Sequence, residues 1–300
     1  MASCHLPPLS FPGSSRLDWL EMPVESRVAV HDVEIALFEW PGEDPPIFFC
    51  HATGFHARCW DQVIAHLAGR HSFALDARGH GRSSKPAPPY EWRNFGADVA
   101  GVAEALKLSG AIGVGHSMGG HAVTLGAALR PQSFSSLLLI DPVIRPRGAY
   151  VGPWLEAHFV SKRRNRWKSA QEMFDRFQDR APFANWDRAV LRDYCDYGLL
   201  PDGDSFVLAC APLIEASIYE NSPAPASDIY GEIAGITIPV RVLRAGKVPA
   251  PGDVMGQSPT APDLAASFQQ GVDLCLTENS HFIPMEAPAL IAQLIADSPR

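Results

Sequence analysis

The sequence predicts an α/β fold: a mostly parallel, eight-stranded sheet with helices on both faces and an inserted helical cap. Three observations support this. The chain has 300 residues, of which 46% are hydrophobic and 19% charged, which suits one large buried core. Short apolar runs alternate with segments of helical periodicity through most of the chain. One long stretch in the second half interrupts this alternation.

Eight short apolar runs bounded by turn residues are the predicted strands. They occupy residues 27–30, 34–40, 47–50, 72–76, 111–114, 136–140, 240–244 and 272–276. The first two are close enough for an antiparallel hairpin. The later ones are separated by helix-length connections, which parallel strands require. The sheet is therefore expected to be parallel with an antiparallel edge.

The predicted helices cover the segments between the later strands. Helical periodicity appears at residues 60–67, 95–108, 118–129, 263–269 and 287–296. Crossover helices of this kind pack against both faces of a parallel sheet. A three-layer arrangement is therefore expected.

The insertion runs over residues 144–230, between core segments 1–143 and 231–300. It carries 13 of the 28 aromatic residues, and its 11 Lys and Arg nearly balance its 12 Asp and Glu. So many aromatics are expected to form an apolar roof over any site beneath the cap. Such a roof selects apolar groups of a bound molecule and rejects charged ones. Its aromatic candidates are Trp154, Phe159, Trp167, Phe174, Phe177, Phe183 and Trp186. The basic run at 162–168 is interpreted as one solvated helix face.

Charge and hydropathy exclude several classes of protein. The formal net charge is −8, so the basic surface that nucleic-acid binding usually needs is missing. No apolar run approaches the roughly 20 residues of a membrane span. Residues 1–16 lack the basic and apolar regions of a secretory signal. A cytoplasmic location is therefore expected, and the sequence does not indicate an oligomeric state.

The segment Gly115-His116-Ser117-Met118-Gly119-Gly120 follows a predicted strand and opens a predicted helix. A serine between strand and helix with glycines two residues to either side is typical of a nucleophile elbow. The turn is so sharp that side chains at Gly115 and Gly119 would collide. Ser117 is therefore the candidate nucleophile.

With two further motifs, this segment resembles the α/β-hydrolase superfamily of esterases and lipases. The first motif is His51-Ala52-Thr53-Gly54-Phe55 after the third predicted strand. The resemblance implies that the backbone N–H groups of Thr53 and Met118 stabilise an oxyanion, although Ala52 replaces the usual glycine. His51 is interpreted as a brace for this loop, and His56 and His121 as packing or rim residues.

The second motif, residues 76–83, resembles the turn that the family places before the elbow strand. Its glycines suit a tight reversal, and the charged side chains of Asp76 and Arg78 can hold that turn together. The motif is therefore interpreted as architecture and not as chemistry.

His281 follows the last predicted strand, where the family keeps its general base. An imidazole activates the serine hydroxyl, and a carboxylate orients that imidazole. Two acids remain candidates. Asp141 ends the strand at 136–140, and Asp253 is the first carboxylate after the strand at 240–244. Asp141 is favoured because rigid strand ends collect catalytic groups in open α/β sheets.

These residues predict a serine hydrolase that cleaves carboxylic esters through an acyl-enzyme on Ser117, without cofactor or metal. Epoxide hydrolases and dehalogenases of the same superfamily use an aspartate at the nucleophile position. The same triad also serves acyl transfer, perhydrolysis and C–C bond hydrolysis, and these alternatives stay open. A small-molecule receptor on the same fold is a further alternative. The expected partner is a small apolar ester.

Overall fold

The computed structural model describes residues 22–67, 69–248, 253 and 255–298. Within these residues the chain forms eleven strands. They are β1 (Val24–Val30), β2 (Val33–Trp40), β3 (Glu43–Cys50), β4 (Arg70–Leu75), β5 (Ala111–His116), β6 (Phe134–Ile140), β7 (Arg166–Trp167), β8 (Leu199–Asp202), β9 (Ser205–Leu208), β10 (Val240–Ala245) and β11 (Gly271–Leu276).

Eight of these strands form one sheet in the order β1-β2-β4-β3-β5-β6-β10-β11. Strand β2 pairs antiparallel with both β1 and β4. The remaining neighbours in the order β4-β3-β5-β6-β10-β11 all pair parallel. This arrangement confirms the predicted fold class. The register sets Cys50 opposite Gly115 and His116 opposite Ile140. The loops after β3, β5 and β6 therefore leave the sheet at the same edge.

Nine α-helices lie in the described residues: α1 (Asp61–Ala65), α2 (Trp92–Ala105), α3 (Met118–Leu129), α4 (Ala170–Phe177), α5 (Arg188–Tyr197), α6 (Pro212–Glu220), α7 (Tyr230–Ile233), α8 (Ile283–Glu286) and α9 (Pro288–Ala296). Short 3₁₀ turns occupy Ala57–Trp60, Pro131–Ser133, Phe159–Lys162, Phe183–Asn185, Pro225–Ser227 and Leu264–Ser267. The predicted helix at 263–269 was wrong. Only a 3₁₀ turn forms there, because Phe268 is already extended on the way into β11.

The sheet separates two apolar clusters. One contains Val99, Val123 and Leu139 from α2, α3 and β6. The other contains Phe49, Trp60 and Ile291 on the opposite face. Helices α2 and α3 thus cover one face, while α1 and α9 cover the other. Burial on both faces explains why the central strands are nearly uninterrupted apolar runs.

The segment between β6 and β10 contains more than helices. Strands β7, β9 and β8 form a small antiparallel sheet within it, which the prediction of a helical cap did not include. These strands are two to four residues long, too short to give a clear alternating pattern. The segment packs on the core through a third apolar cluster that joins Phe55 and Phe282 to Trp186 and Leu191.

The interpretation of residues 162–168 as one helix face was wrong. This basic run leaves the 3₁₀ turn Phe159–Lys162, passes through extended backbone and enters β7. Successive side chains of extended backbone point to opposite sides. Arg163 is accordingly half-buried and pairs with Glu215, whereas the other cations are exposed: Lys162, Arg164, Arg166 and Lys168.

Among the described residues, no helix is both long and apolar enough to cross a membrane. Residues 1–16, in which no secretory signal was predicted, lie outside the described residues.

Candidate active site

Ser117 lies at the turn between β5 and α3, as the elbow motif predicts. Its φ of 56° and ψ of −118° are rare for a residue with a side chain. A Cβ at Gly115 would lie 2.3 Å from the Gly119 carbonyl oxygen, and one at Gly119 would lie 2.2 Å from the Cys50 carbonyl oxygen. Only glycine fits at both positions, so the tight turn depends on them.

The structure brings His281 between Ser117 and Asp141. The His281 Nε2 atom lies 3.0 Å from Ser117 Oγ, and its Nδ1 atom lies 2.6 Å from Asp141 Oδ2. Both distances are hydrogen-bonding distances. The carbonyl oxygen of His281 lies 2.8 Å from His116 Nε2, and its N–H donates to the Gly256 carbonyl at 3.1 Å. The main chain of His281 is therefore held from two sides.

The Asp141 carboxylate is fully buried and held by several donors. Its Oδ1 atom accepts hydrogen bonds from Ser258 Oγ at 2.5 Å and from the Ala245 N–H at 3.0 Å, and Thr260 Oγ1 lies 3.1 Å away. Burial alone would raise the pKa of this carboxyl. The hydrogen bond and charge of His281, with the donors on Oδ1, outweigh burial and hold the pKa of Asp141 below its usual range. Asp141 is therefore ionised at neutral pH.

Asp253, the second candidate acid, has a different partner. Its Oδ1 atom accepts a hydrogen bond from the Gly256 N–H at 2.9 Å, within its own loop. Among the described residues its carboxylate makes no hydrogen bond to His281. The structure thus joins His281 to Asp141 and not to Asp253.

Thr53 and Met118 present two buried backbone N–H groups near Ser117. Both residues are less than 5% exposed. The start of α3 packs directly on the end of β3, as the close approach of Gly119 to Cys50 shows. Neither N–H finds a hydrogen-bond acceptor within the described part of the chain. Because buried N–H groups are rarely left unpaired, these two are suited to a ligand oxygen.

The loop that carries Thr53 is braced by two buried histidines. Ala77 N–H donates to His51 Nε2 at 2.9 Å, and His51 Nδ1 lies 2.8 Å from the Ala52 carbonyl oxygen. Gly54 N–H donates to His80 Nε2 at 2.9 Å. Burial lowers the pKa of both imidazoles, which keeps them neutral. His51 therefore braces the loop, as the sequence analysis expected.

Asp76 and Arg78 of the 76–83 turn have separate partners and do not pair with each other. Asp76 accepts hydrogen bonds from the backbone N–H groups of Ala57 and Arg82. Arg78 instead forms a bidentate pair with Asp98 of α2, with both distances 2.7 Å. The turn is thus tied to two different elements.

The remaining histidines singled out from the sequence are packing residues. His56 contacts the Tyr194 carbonyl oxygen at 3.1 Å, and His121 contacts the Ser227 carbonyl oxygen at 2.9 Å. Both rings are buried, and burial lowers the pKa of each to about 4. Neither imidazole is hydrogen-bonded to the Ser117 hydroxyl.

Two adjoining cavities lie at this edge of the sheet. The smaller has a volume of about 250 Å³ and is lined by Ser117 and His281 together with residues that follow β6. The larger has a volume of about 450 Å³ and reaches Thr53 and Phe282. Tyr219 and Met255 line both. Ser117 faces the smaller cavity, and the larger one adjoins it at Tyr219 and Met255.

The larger cavity is aromatic with a basic rim. Its aromatic lining consists of Phe55, Phe159, Trp167, Phe177, Phe183, Trp186, Tyr194, Tyr219 and Phe282. Five of the aromatics expected in the roof are among them: Phe159, Trp167, Phe177, Phe183 and Trp186. Trp154 lines the smaller cavity, and Phe174 packs in the third apolar cluster. The rim adds the cations Lys162, Arg163, Arg164, Arg176 and Arg180.

Several residues of the site have no signal in the sequence. Ser258 and Thr260 contact Asp141 across more than 110 residues, and nothing local marks them. Arg145, which lines the smaller cavity, follows Asp141 by four residues. Position just beyond the carboxyl end of β6 was the one signal that could have identified it.

Comparison of the sequence with known proteins gives one family match and several similar proteins. Residues 47–294 match the model of the alpha/beta hydrolase family. A 2-(acetamidomethylene)succinate hydrolase from Mesorhizobium japonicum is 25% identical over 273 residues, which cover 88% of this chain and 93% of that protein. A non-heme chloroperoxidase from Streptomyces lividans is 41% identical over 109 residues, covering 35% of this chain and 40% of that protein.

The fold is also similar to solved structures. The structure of an E-2-(acetamidomethylene)succinate hydrolase superposes with a TM-score of 0.71 at 20% sequence identity. The match covers 92% of this chain and 98% of the other. This likeness concerns the fold.

Proposed function

The chain belongs to the alpha/beta hydrolase family, and from this premise we propose that it is a serine hydrolase that cleaves carboxylic esters through an acyl-enzyme on Ser117. One observation carries the proposal. His281 lies within hydrogen-bonding distance of both the Ser117 hydroxyl, at 3.0 Å, and the buried Asp141 carboxylate, at 2.6 Å. Serine, imidazole and carboxylate in this order make the hydroxyl a nucleophile.

In the proposed mechanism, His281 Nε2 takes the Ser117 proton as Oγ attacks the ester carbonyl carbon. Asp141 accepts the hydrogen bond from His281 Nδ1, which leaves Nε2 free to receive the proton, and stabilises the imidazolium that forms. The imidazolium then gives its proton to the departing alkoxide, and an acyl group remains on Ser117. Water, activated by the same imidazole, cleaves the acyl-enzyme.

The N–H groups of Thr53 and Met118 are proposed to bind the oxyanion of each tetrahedral intermediate. Their buried, unpaired state in the described residues supports this role. A donor of this kind typically contributes about 3 kcal/mol to the stabilisation of the transition state. The orientation is preorganised because the start of α3 and the loop after β3 touch at Gly119.

The segment 144–230 is proposed to act as a cap that shapes the substrate site. Its aromatic side chains line most of the larger cavity, which suits an uncharged acyl, aryl or alkyl group. An apolar group bound there would be removed from water against aromatic rings, such as the stacked pair of Phe177 and Phe183, whose centroids lie 4.3 Å apart.

Turnover of short esters by three variants tests the proposal. We expect Ser117→Ala and His281→Ala each to lower kcat by about 10⁶, and the double variant to lower it no further, because triad residues act as one unit. Circular dichroism and melting temperature control for folding. More than about a tenth of the native kcat in Ser117→Ala would exclude it as the nucleophile. A stoichiometric acylation burst with no later turnover would favour the receptor alternative.

A further inference from the structure

The smaller cavity beside Ser117 contains an arginine that the proposed mechanism does not use. Arg145 lines this cavity together with Ser117 and His281. Two residues before it, Val143 N–H donates to the Ser117 carbonyl at 3.0 Å. Two residues of extended chain span at most about 7 Å. The main chain of Arg145 is therefore fixed close to the nucleophile turn.

Two tyrosine hydroxyls hold the backbone of Arg145. Its N–H donates to the Tyr150 hydroxyl at 3.0 Å, and the Tyr230 hydroxyl donates to its carbonyl oxygen at 2.9 Å. The side chain lies beside the ring of Trp154, with Cζ 5.6 Å from the ring centroid. This support keeps the guanidinium in place before any ligand binds.

The half-buried guanidinium of Arg145 has no carboxylate partner in the described residues, unlike those of Arg58, Arg78 and Arg163. Within the described residues it forms no ion pair, and its one side-chain partner is Ser222 Oγ, 3.0 Å from Nη2. The Nε atom is buried and donates to nothing. Arg58, Arg78 and Arg163 are each paired with a buried carboxylate, those of Asp61, Asp98 and Glu215. Burial lowers the pKa of Arg145, which reflects the cost of an unpaired charge.

We propose that Arg145 binds a carboxylate of the substrate, so that the preferred substrates are short esters with an anionic group near the scissile bond. The inference rests on the proposed function of Ser117. A guanidinium presents N–H groups in a planar fork that matches a carboxylate, and a buried cation gains most from an anionic partner. The small volume of about 250 Å³ favours a short group, such as a hemisuccinate.

Other polar groups of the cavity suit the same ligand. His158 lines it with a buried Nδ1 atom that has no hydrogen-bond partner among the described residues. Its ring is fixed between Trp154 and Tyr219, with centroids 5.7 Å and 4.6 Å away. The carboxylate of the ligand would thus meet donors on a rigid aromatic wall.

The cations of the larger cavity are weaker candidates. Arg163 is already neutralised by Glu215 at 2.7 Å. Lys162, Arg176 and Arg180 are exposed at the rim, where solvent screens their charge. The sequence predicted that charged groups are rejected. For the smaller cavity, the proposed role of Arg145 reverses that expectation.

The test compares monoethyl succinate with its neutral isostere, ethyl 4-oxopentanoate, in a pH-stat. We expect the native chain to show at least a tenfold higher kcat/KM for the anion. Arg145→Gln should lower the ratio of the two kcat/KM values by about 10- to 100-fold, because a charge-assisted pair is lost. Arg145→Lys, which keeps the charge without the fork, should fall between. Arg130 is exposed and forms an ion pair with Glu104, so Arg130→Gln controls for the change in net charge.

A binding measurement separates this inference from the proposed function. Calorimetry with monoethyl succinate is performed on Ser117→Ala and on the double variant with Arg145→Gln. We expect the second substitution to weaken binding by at least tenfold. If the native chain hydrolyses neither ester through Ser117 but the two variants still differ in binding, the proposed function alone is refuted. Equal binding by the two variants, or an unchanged ratio of kcat/KM in Arg145→Gln, would overturn the role of Arg145.

Discussion

Backbone groups of β10 orient the Asp141 carboxylate that contacts His281. Asp141 has a φ of 43°, which turns the chain sharply as it leaves β6. Its N–H donates to the Leu243 carbonyl at 2.7 Å, and the Ala245 N–H donates back to its Oδ1 atom at 3.0 Å. The neighbouring strand β10 therefore orients this side chain. An acid delivered by a strand end can be held in this way without a loop of its own.

The roles of the two aspartates are separated by amide substitutions. We expect Asp141→Asn to lower kcat by about 10⁴ with the fold intact, because an amide can hold the wrong imidazole tautomer. Asp253→Asn should change kcat by less than about tenfold, since its carboxylate only closes its own loop through Gly256. Steady-state hydrolysis of a neutral ester measures both. A crippled Asp253→Asn with an active Asp141→Asn would reverse the assignment.

At the residue scale, local motifs carried more information than distant contacts. Ser117 is marked by the glycines on either side of it, and its predicted turn is present. His281 is marked by its place after the last strand. The sequence favoured Asp141 over Asp253 as the acid only through its place at the end of a strand, because both candidates follow strands and their contact with His281 depends on how β6 and β10 pair. Ser258 contacts Asp141 from 117 residues away, which no local pattern records.

At the scale of elements, the junction of β3 with α3 sets the geometry of the nucleophile turn. We expect Gly119→Ala to lower kcat by 100-fold or more. Its Cβ would lie 2.2 Å from the Cys50 carbonyl oxygen and 2.6 Å from that of His51, so α3 must move away from the loop that carries Thr53. A shift of this kind misplaces an oxyanion donor.

A matched glycine provides the control for this substitution. Gly231 lies in α7, and a Cβ there would meet no atom within 4 Å. We expect Gly231→Ala to keep native kcat, and both variants to keep their circular dichroism spectra. Native turnover by Gly119→Ala would show that the close packing of α3 on β3 is unimportant for the reaction.

Helix α5 meets α1 near two acids, the half-buried Asp193 and the buried Asp61. Gln62 Nε2 donates to Asp193 Oδ2 at 2.7 Å. Burial raises the pKa of Asp193 to about 7, and the nearby charge of Asp61 adds to this effect. The folded state therefore holds a proton that the unfolded chain releases near pH 4. As a result, the free energy of unfolding falls as pH rises from about 4 to 7.

Substitution of Asp193 tests this pH dependence. We expect Asp193→Asn to unfold with a free energy about 1–3 kcal/mol above that of the native chain at pH 8, and with little difference at pH 4. Its amide oxygen can still accept the hydrogen bond from Gln62. Urea denaturation at both pH values gives the comparison, with the exposed Asp204→Asn as control. An equal difference at pH 4 and pH 8 would contradict the assignment.

The elements of the core were easier to predict than those of the segment 144–230. All eight predicted strands occur in the main sheet, because each is an apolar run bounded by turns, and all but the edge strands β1 and β11 are largely buried. The three strands of the smaller sheet are short and partly exposed, and β8 includes Pro201. Strands β8 and β9 form a local hairpin, whereas Arg166 of β7 pairs with Val207 of β9 from a distant part of the chain. The pairing of β7 follows from tertiary packing and not from local preference.

At the scale of the whole molecule, the parallel sheet gathers the candidate site, and residues of the segment 144–230 line the cavities beside it. The loops after β3, β5, β6 and β11 supply Thr53, Ser117, Asp141 and His281 at one edge. Above that edge lie the aromatic cavity of about 450 Å³ and the cavity of about 250 Å³ with Arg145. The sequence predicted an apolar roof, but it could not show that an arginine without a carboxylate partner among the described residues would line the wall beside the serine.

Covalent labelling by a fluorophosphonate tests most directly whether Ser117 is an activated nucleophile. The reagent phosphonylates a serine whose proton is removed by a neighbouring base. We expect intact-mass spectrometry to show one adduct per native chain, peptide mapping to locate it on Ser117, and Ser117→Ala and His281→Ala to remain unlabelled. An adduct on another residue, or an unreactive native chain with a native melting temperature, would contradict the account.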